Sequence, residues 1–259
     1  MKRLAFALVS LTIAAQYASA ADSPFAGSWK FNPAKSQLTG DTFSFSTSAI
    51  GLHYSDGAAV EYDFAVDGKD YPVIADRKVS WTKRGDNVWD SVMKDGKGVV
   101  LYKAHRVLSK DGKKLSISYN YFRPDGTTSE GSDEYVRVSG DKGLPGEWKN
   151  VQSKQASAKM IISVPSPGKV TVEFPSYKQT ATGPTDGSPI AVIGPTVPQG
   201  VFVAYTATGT SKMTFAITLN GKVFQQGERT VSSDGKTLTE VSWLPGKESE
   251  KEVDVYDRE

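Results

Sequence analysis

The feature that most constrains this chain is a duplication. Gly27-Ser28-Trp29-Lys30 returns 119 positions later as Gly146-Glu147-Trp148-Lys149, and the segment Arg106–Leu115 returns 123 positions later as Arg229–Leu238. Two motifs recurring in the same order at nearly the same offset mark two copies of one structural unit. Each copy has about 120 residues, enough to bury roughly 65% of its unfolded surface and so to form a core of its own. The boundary reads at Ser139–Pro145, where Gly and Pro break any strand and a charged pair keeps the chain wet.

Inside each copy the apolar period is two. Leu115, Ile117, Tyr119 and Tyr121 alternate with Ser116, Ser118 and Asn120, and Met213, Phe215, Ile217 and Leu219 alternate with Thr214, Ala216 and Thr218. Such alternation belongs to half-buried strands. Asp56-Gly57, Asp67-Gly68, Asp95-Gly96, Asp111-Gly112 and Asp125-Gly126, then Asp186-Gly187, Asn220-Gly221 and Asp234-Gly235, supply the Asx-Gly pairs that tight hairpins favour. The pattern predicts strands near 42–49, 59–66, 79–84, 87–94, 97–108, 114–121 and 132–138, with a similar set in the second copy. No helix of three turns is predicted; a single turn after Asn32-Pro33 is the most the pattern allows. Short, evenly spaced antiparallel strands imply an all-β sandwich or barrel.

Lys2 and Arg3, the apolar run Leu4–Ala15 and Ala18-Ser19-Ala20 together read as a cleaved secretory signal peptide at 1–20. The run is shorter than the roughly 20 residues that span a bilayer, and no later stretch resembles a transmembrane segment. The expected location is therefore periplasmic or secreted. The chain has no cysteine, which excludes disulfides, thiol catalysis and Cys-based metal centres. Beyond the leader, basic and acidic residues balance at 16 each in 21–140 and 13 each in 141–259. With no basic excess, nucleic acid and anionic membrane are excluded as expected partners.

A Gly-x-Trp-Lys opening in an up-and-down β protein with a late-strand Arg resembles the lipocalin and fatty-acid-binding superfamily. Gly27 through Ser36, Asp67 through Val73 and Arg106 through Leu115 resemble, more narrowly, exported bacterial lipocalin-like (calycin-type) proteins. The second copy departs from that pattern: nothing like Asn32-Pro33-Ala34-Lys35-Ser36 follows Lys149, and Asp186–Ile190 is a shortened form of the central motif. The resemblance implies two tandem antiparallel up-and-down lipocalin-like β-barrels, at 21–140 and 144–259. The alternative is that the copies share strands, in one larger barrel or in paired half-barrels. In the resembling barrels an Arg lies across the Trp that closes one end, a cation–π contact worth about 0.5–2 kcal/mol. Barrel closure is accordingly expected from Trp29 with Arg106 and from Trp148 with Arg229. The competing role for Arg106 is an internal carboxylate-binding group.

The first copy is rich in amphipathic aromatics. Tyr62, Trp89, Tyr102, Tyr119 and Tyr121, with Arg106, form the candidate ligand-binding set, since such rings line cavities and offer hydroxyls that orient a guest; the bland alternative is that they fill the core. His53 and His105, with an acid such as Glu61, are the available groups for a metal or acid–base pair, but His105 and Arg106 are adjacent in a strand and face opposite ways; no metal and no cofactor are expected. Ser91-Val92-Met93-Lys94 has nucleophile spacing, but it lies in a strand where that chemistry needs a helix start. Residues 183–200 read as a long irregular loop, a candidate lid or contact surface. Lys247–Glu252, of alternating sign, reads as a solvated edge. The expected function is an exported carrier of a small apolar or amphipathic molecule. The alternatives are a structural or protein-interaction module and, third, a barrel isomerase or hydrolase.

Overall fold

The structure, a computed structural model, describes residues 23–259; the leader expected at 1–20 lies outside the described residues. The first half supplies β1 (Gly27–Phe31), β2 (Thr42–Ser48), β3 (Gly51–Ser55), β4 (Glu61–Phe64), β5 (Asp67–Pro72), β6 (Lys78–Gly85), β7 (Val88–Lys94), β8 (Val100–Leu108), β9 (Lys114–Phe122) and β10 (Thr128–Ser139). The second supplies β11 (Gly146–Lys154), β12 (Lys159–Ser163), β13 (Lys169–Phe174), β14 (Gln179–Pro184), β15 (Asp186–Ala191), β16 (Val201–Ala207), β17 (Lys212–Leu219), β18 (Lys222–Val231), β19 (Thr237–Trp243) and β20 (Glu252–Arg258). They form two nearly closed antiparallel barrels of ten strands each. Inward residues alternate with outward ones along every long strand, as in β9, where Leu115, Ile117 and Tyr119 are buried between exposed Lys114, Ser116 and Ser118.

The barrels are not the sequence repeats. Strand β11 leaves β10 by a hairpin, pairs Trp148 opposite Arg137, and pairs on its other side with β2, so it completes the first barrel. Strand β1 sits between β12 and β20 and completes the second. Each half from 21–140 and 144–259 thus lends its opening strand to the other. The cause is loop length: the short segment 140–145, expected to be a linker between units, is a hairpin loop, and a short loop makes consecutive strands antiparallel neighbours. β1 and β11 carry the same inward Trp at the same register, Trp29 opposite Arg258 and Trp148 opposite Arg137.

The crossings are made by 32–41 and 155–158. Asn32 Nδ2 donates to Asp257 at 2.6 Å, Lys35 pairs with Asp257 at 2.7 Å, and Ser36 Oγ accepts from Val255 N at 2.9 Å. The Asn-Pro-Ala-Lys-Ser motif is therefore a turn that docks the first crossing onto β20. The second crossing is tied by Phe31 N donating to Ala158 O and Ser157 Oγ donating to Phe31 O, which needs no such motif.

The Arg residues over the opening Trp rings also differ from expectation. Arg258 lies 4.1 Å from the Trp29 ring and Arg137 lies 4.2 Å from the Trp148 ring, each directly across the strand pair from its Trp. Arg106 stacks instead on Trp81 at 4.2 Å, and Arg229 faces Phe215 and Tyr205. The reason is position: Arg106 and Arg229 sit three strands away from the opening strand, in β8 and β18, while Arg137 and Arg258 sit in its neighbours. The overlooked signal is Asp133-x-Tyr135-x-Arg137, which returns as Asp254-x-Tyr256-x-Arg258. Each clamp is completed alike. The guanidinium donates to three backbone carbonyls, at Gly112, Pro145 and Gly143 for Arg137 and at Gly235, Ala26 and Pro24 for Arg258. Each indole N–H donates at 2.9 Å to the carbonyl four residues before it, Phe25 or Leu144.

Further corrections are local. Strands β3 and β5 were not among those predicted: β3 is only five residues long, and β5 is a polar edge strand, exposed except at Tyr71. Asp67-Gly68 and Asp186-Gly187 are not hairpin turns but irregular openings of β5 and β15, where register shifts by a residue or more. Lys247–Glu252 is not a solvated edge: Lys247 Nζ donates to Thr42 O at 2.8 Å and Glu250 accepts from Thr42 N at 2.9 Å, a clasp between the barrels.

The Gly of each Gly-x-Trp motif is required by this clamp. Gly27 and Gly146 have φ of 150° and 135°, and a Cβ on either would collide with the guanidinium of Arg258 or with Arg137 and the Ser139 carbonyl. Gly27→Ala and Gly146→Ala should each cost about 2 kcal/mol or more. Gly221→Ala, at φ of 81° with open space around it, should cost about 1 kcal/mol; denaturant melts of the three variants check the difference.

Candidate functional site

Each barrel holds a cavity. That of the first, about 420 Å³, is lined by Tyr54, Tyr62, Tyr102 and Tyr121, with Met93 and Arg106, and its mouth meets Arg77, Tyr177, Gln179 and Thr196. Of the expected ligand-binding set, Tyr62, Tyr102, Tyr121 and Arg106 come together on this wall. Trp89 and Tyr119 do not reach it; they are 6% and 8% exposed and belong to the packed core below. Tyr119 still supports the wall, its ring 5.8 Å from Tyr102 and 5.5 Å from Tyr121. Tyr54, one of the first copy's amphipathic aromatics though not of the expected ligand-binding set, also lines the cavity. It stands on the short strand β3 and stacks on Tyr62 at 5.1 Å, and the alternation that marks inward residues is weak over five positions. Burial keeps the Tyr62 phenol protonated, pushed up to about 12, so the rings present neutral hydroxyls.

Arg106 carries the chemistry of this cavity. Its Nη1 donates to the buried Ser91 hydroxyl at 2.7 Å, and its Nε has no hydrogen-bond partner. No carboxylate lies within ion-pair distance of it among the described residues. Ser91 is thus a positioning group for the guanidinium. Lys94, three residues on, pairs with Asp70 on the other side of the strand, so the Ser-x-x-Lys spacing does not assemble. His53 and His105 lie apart on β3 and β8, partnered by Asp63 at 2.9 Å and Asp90 at 2.7 Å.

The second barrel differs at the corresponding place. Arg229 lies opposite Glu240 as Arg106 lies opposite Ile117, and Arg229 Nε donates to Glu240 at 2.5 Å with both side chains buried. One substitution of Ile for Glu separates an uncompensated internal cation from a neutralised one. Segment 183–200, expected to be one long loop, contains the end of β14 and all of β15. Only 192–200 is irregular, and its Val197 and Pro198 close over the second cavity. Arg77 from the first barrel donates to Thr196 O at 3.3 Å and holds that loop.

Two interior acids sit at equivalent places and are held partly protonated. Burial raises Asp254 to about 7, with Glu240 and Glu252 adding to the shift and Arg229 opposing it. Burial raises Asp133 to about 6, although the Ser153 hydroxyl at 2.6 Å opposes that. An acid whose native pKa is raised stabilises the fold below its unfolded value and loses that contribution as pH climbs through the native one. Stability should fall between about pH 4 and pH 7 from these two groups, and Asp254→Asn, which mimics the protonated form, should gain about 2 kcal/mol at about pH 8. Urea melts across that range check both the slope and its flattening in the variant.

Comparison with family models, curated proteins and solved structures finds no match to this chain.

Proposed function

We propose that the protein is an exported carrier of a small amphipathic molecule, held in the first barrel with an apolar body among the tyrosines and an anionic head at Arg106. The observation that carries the proposal is a half-buried Arg lining a cavity of about 420 Å³, whose buried Nε has no hydrogen-bond partner and which no carboxylate meets at ion-pair distance, Asp56 of the same lining included. A buried charge is costly unless paired, and a carboxylate or similar anion supplies the partner that Glu240 supplies to Arg229 in the other barrel. Guanidinium and carboxylate geometry match, and four tyrosine rings give a wall that tolerates apolar atoms and donates hydroxyls. Lipocalin-like kinship, drawn from the Gly-x-Trp-Lys opening and supported by the barrel architecture, agrees with carriage. The leader-like sequence at 1–20 supports a task outside the cytoplasm.

Titration with decanoate tests this. The wild type should bind one equivalent in the first barrel, and Arg106→Gln should weaken it at least about tenfold, equal to about 1.4 kcal/mol. Retention of decanoate at full affinity by Arg106→Gln, or no binding to the wild type, contradicts the proposal and turns the search to a protein partner.

A further inference from the structure

The second barrel contains a cavity of about 330 Å³ whose walls are Val172, Phe174, Val203, Phe215 and Ile217. Arg229 and Glu240 stand at its polar end. Arg229 is 4% exposed, its Nε is given to Glu240, and its Nη1 has no hydrogen-bond partner. Of the other polar groups in the lining, Gln225 donates to Ser242 Oγ at 3.0 Å and Arg77 donates to Thr196 O at 3.3 Å. We infer that the second barrel is a separate binding site for a neutral molecule with an apolar body ending in a carbonyl or hydroxyl oxygen, which accepts the free Arg229 N–H.

The class follows from what the end of the cavity offers and refuses. An unpaired buried donor is unfavourable, and in an apolar cavity a single convergent donor is what orients a guest. The charge of Arg229 is already matched by Glu240. Glu252 and Asp254, paired with Ser242 and Glu240 on the neighbouring strand, add further acids there, both with pKa raised by burial and Asp254 partly protonated. At this end a carboxylate head would meet a guanidinium already paired with Glu240, whereas Arg106 has no acid at ion-pair distance, and Arg77, the other cation of the lining, is engaged at Thr196 O. An ammonium head brings donors only and leaves Nη1 unpaired beside another cation. A neutral oxygen acceptor meets neither objection. The site is independent of the one at Arg106: it lies in the other barrel and selects a different head group.

Four probes with matched chains separate the possibilities: methyl octyl ketone, decanol, decanoate and decylamine, followed by ligand-observed NMR on the full chain. The ketone and the alcohol should bind the wild type, and saturating decanoate should not displace them. Ala181→Leu, which fills the cavity wall from a position 4% exposed, should weaken the ketone at least about tenfold while its circular dichroism melt shows the fold retained. Glu240→Gln removes the compensating charge and should make decanoate occupy an additional site. Failure of the ketone to bind the wild type overturns the inference, as does ketone binding indifferent to Ala181→Leu, or decylamine held as tightly as the ketone. Decanoate lost in Arg106→Gln alongside an absent ketone site would leave the first-barrel proposal standing and remove only this one.

Discussion

The structure depends on a cross-strand contact made twice, an Arg laid over the Trp of a borrowed strand. Trp29 is 0% exposed and so is Trp148; each supplies one of the largest apolar surfaces in its barrel, and each is covered by an Arg that also ties three carbonyls. Because Arg258 and Arg137 belong to the strands beside β1 and β11, the clamp fixes register, closes the barrel end and secures the exchanged strand in one step. Half-burying the guanidinium is acceptable because three of its five N–H donors are given to backbone carbonyls. The same requirement fixes glycine at 27 and 146, so the Gly-x-Trp motif and the Asp-x-Tyr-x-Arg motif are two sides of one contact.

Reciprocal exchange couples the two barrels more tightly than a linker would. Neither barrel has its opening strand without the other half of the chain, and the Lys247–Glu250–Thr42 clasp and the Arg77 contact to Thr196 add polar ties between them. That coupling leaves the interiors free to diverge. Ile117 in one and Glu240 in the other stand at the same register beside the corresponding Arg, and on the proposed reading this difference suits one cavity to an anion and the other to a neutral oxygen.

Much of this was legible in the sequence. The repeat, the period of two and the Asx-Gly turns led to an antiparallel barrel pair, and four of six expected lining residues meet on one wall. The exchange was harder to read because the borrowed strands carry equivalent faces, so apolar pattern alone cannot tell a strand's own barrel from its neighbour's. Only the length of 140–145 distinguishes them, and a short polar segment looks the same as hairpin loop or linker. Arg106 and Arg229 drew the closure role because the longer matching segment contains them. The shorter Asp-x-Tyr-x-Arg match at the ends of the two copies holds the residues that fill it. Lys247–Glu252 misled for a related reason: alternating charge signals solvent when nothing shows the partner at Thr42, more than 200 positions away.

Cutting the chain inside 140–145 tests the exchanged architecture most directly. A protease site placed there, cleaved and followed by gel filtration without denaturant, should leave the two fragments together at the elution volume of the intact protein, parting only when urea unfolds both barrels. Two folded fragments that separate in native buffer would show that each repeat keeps its own opening strand, and would contradict the account.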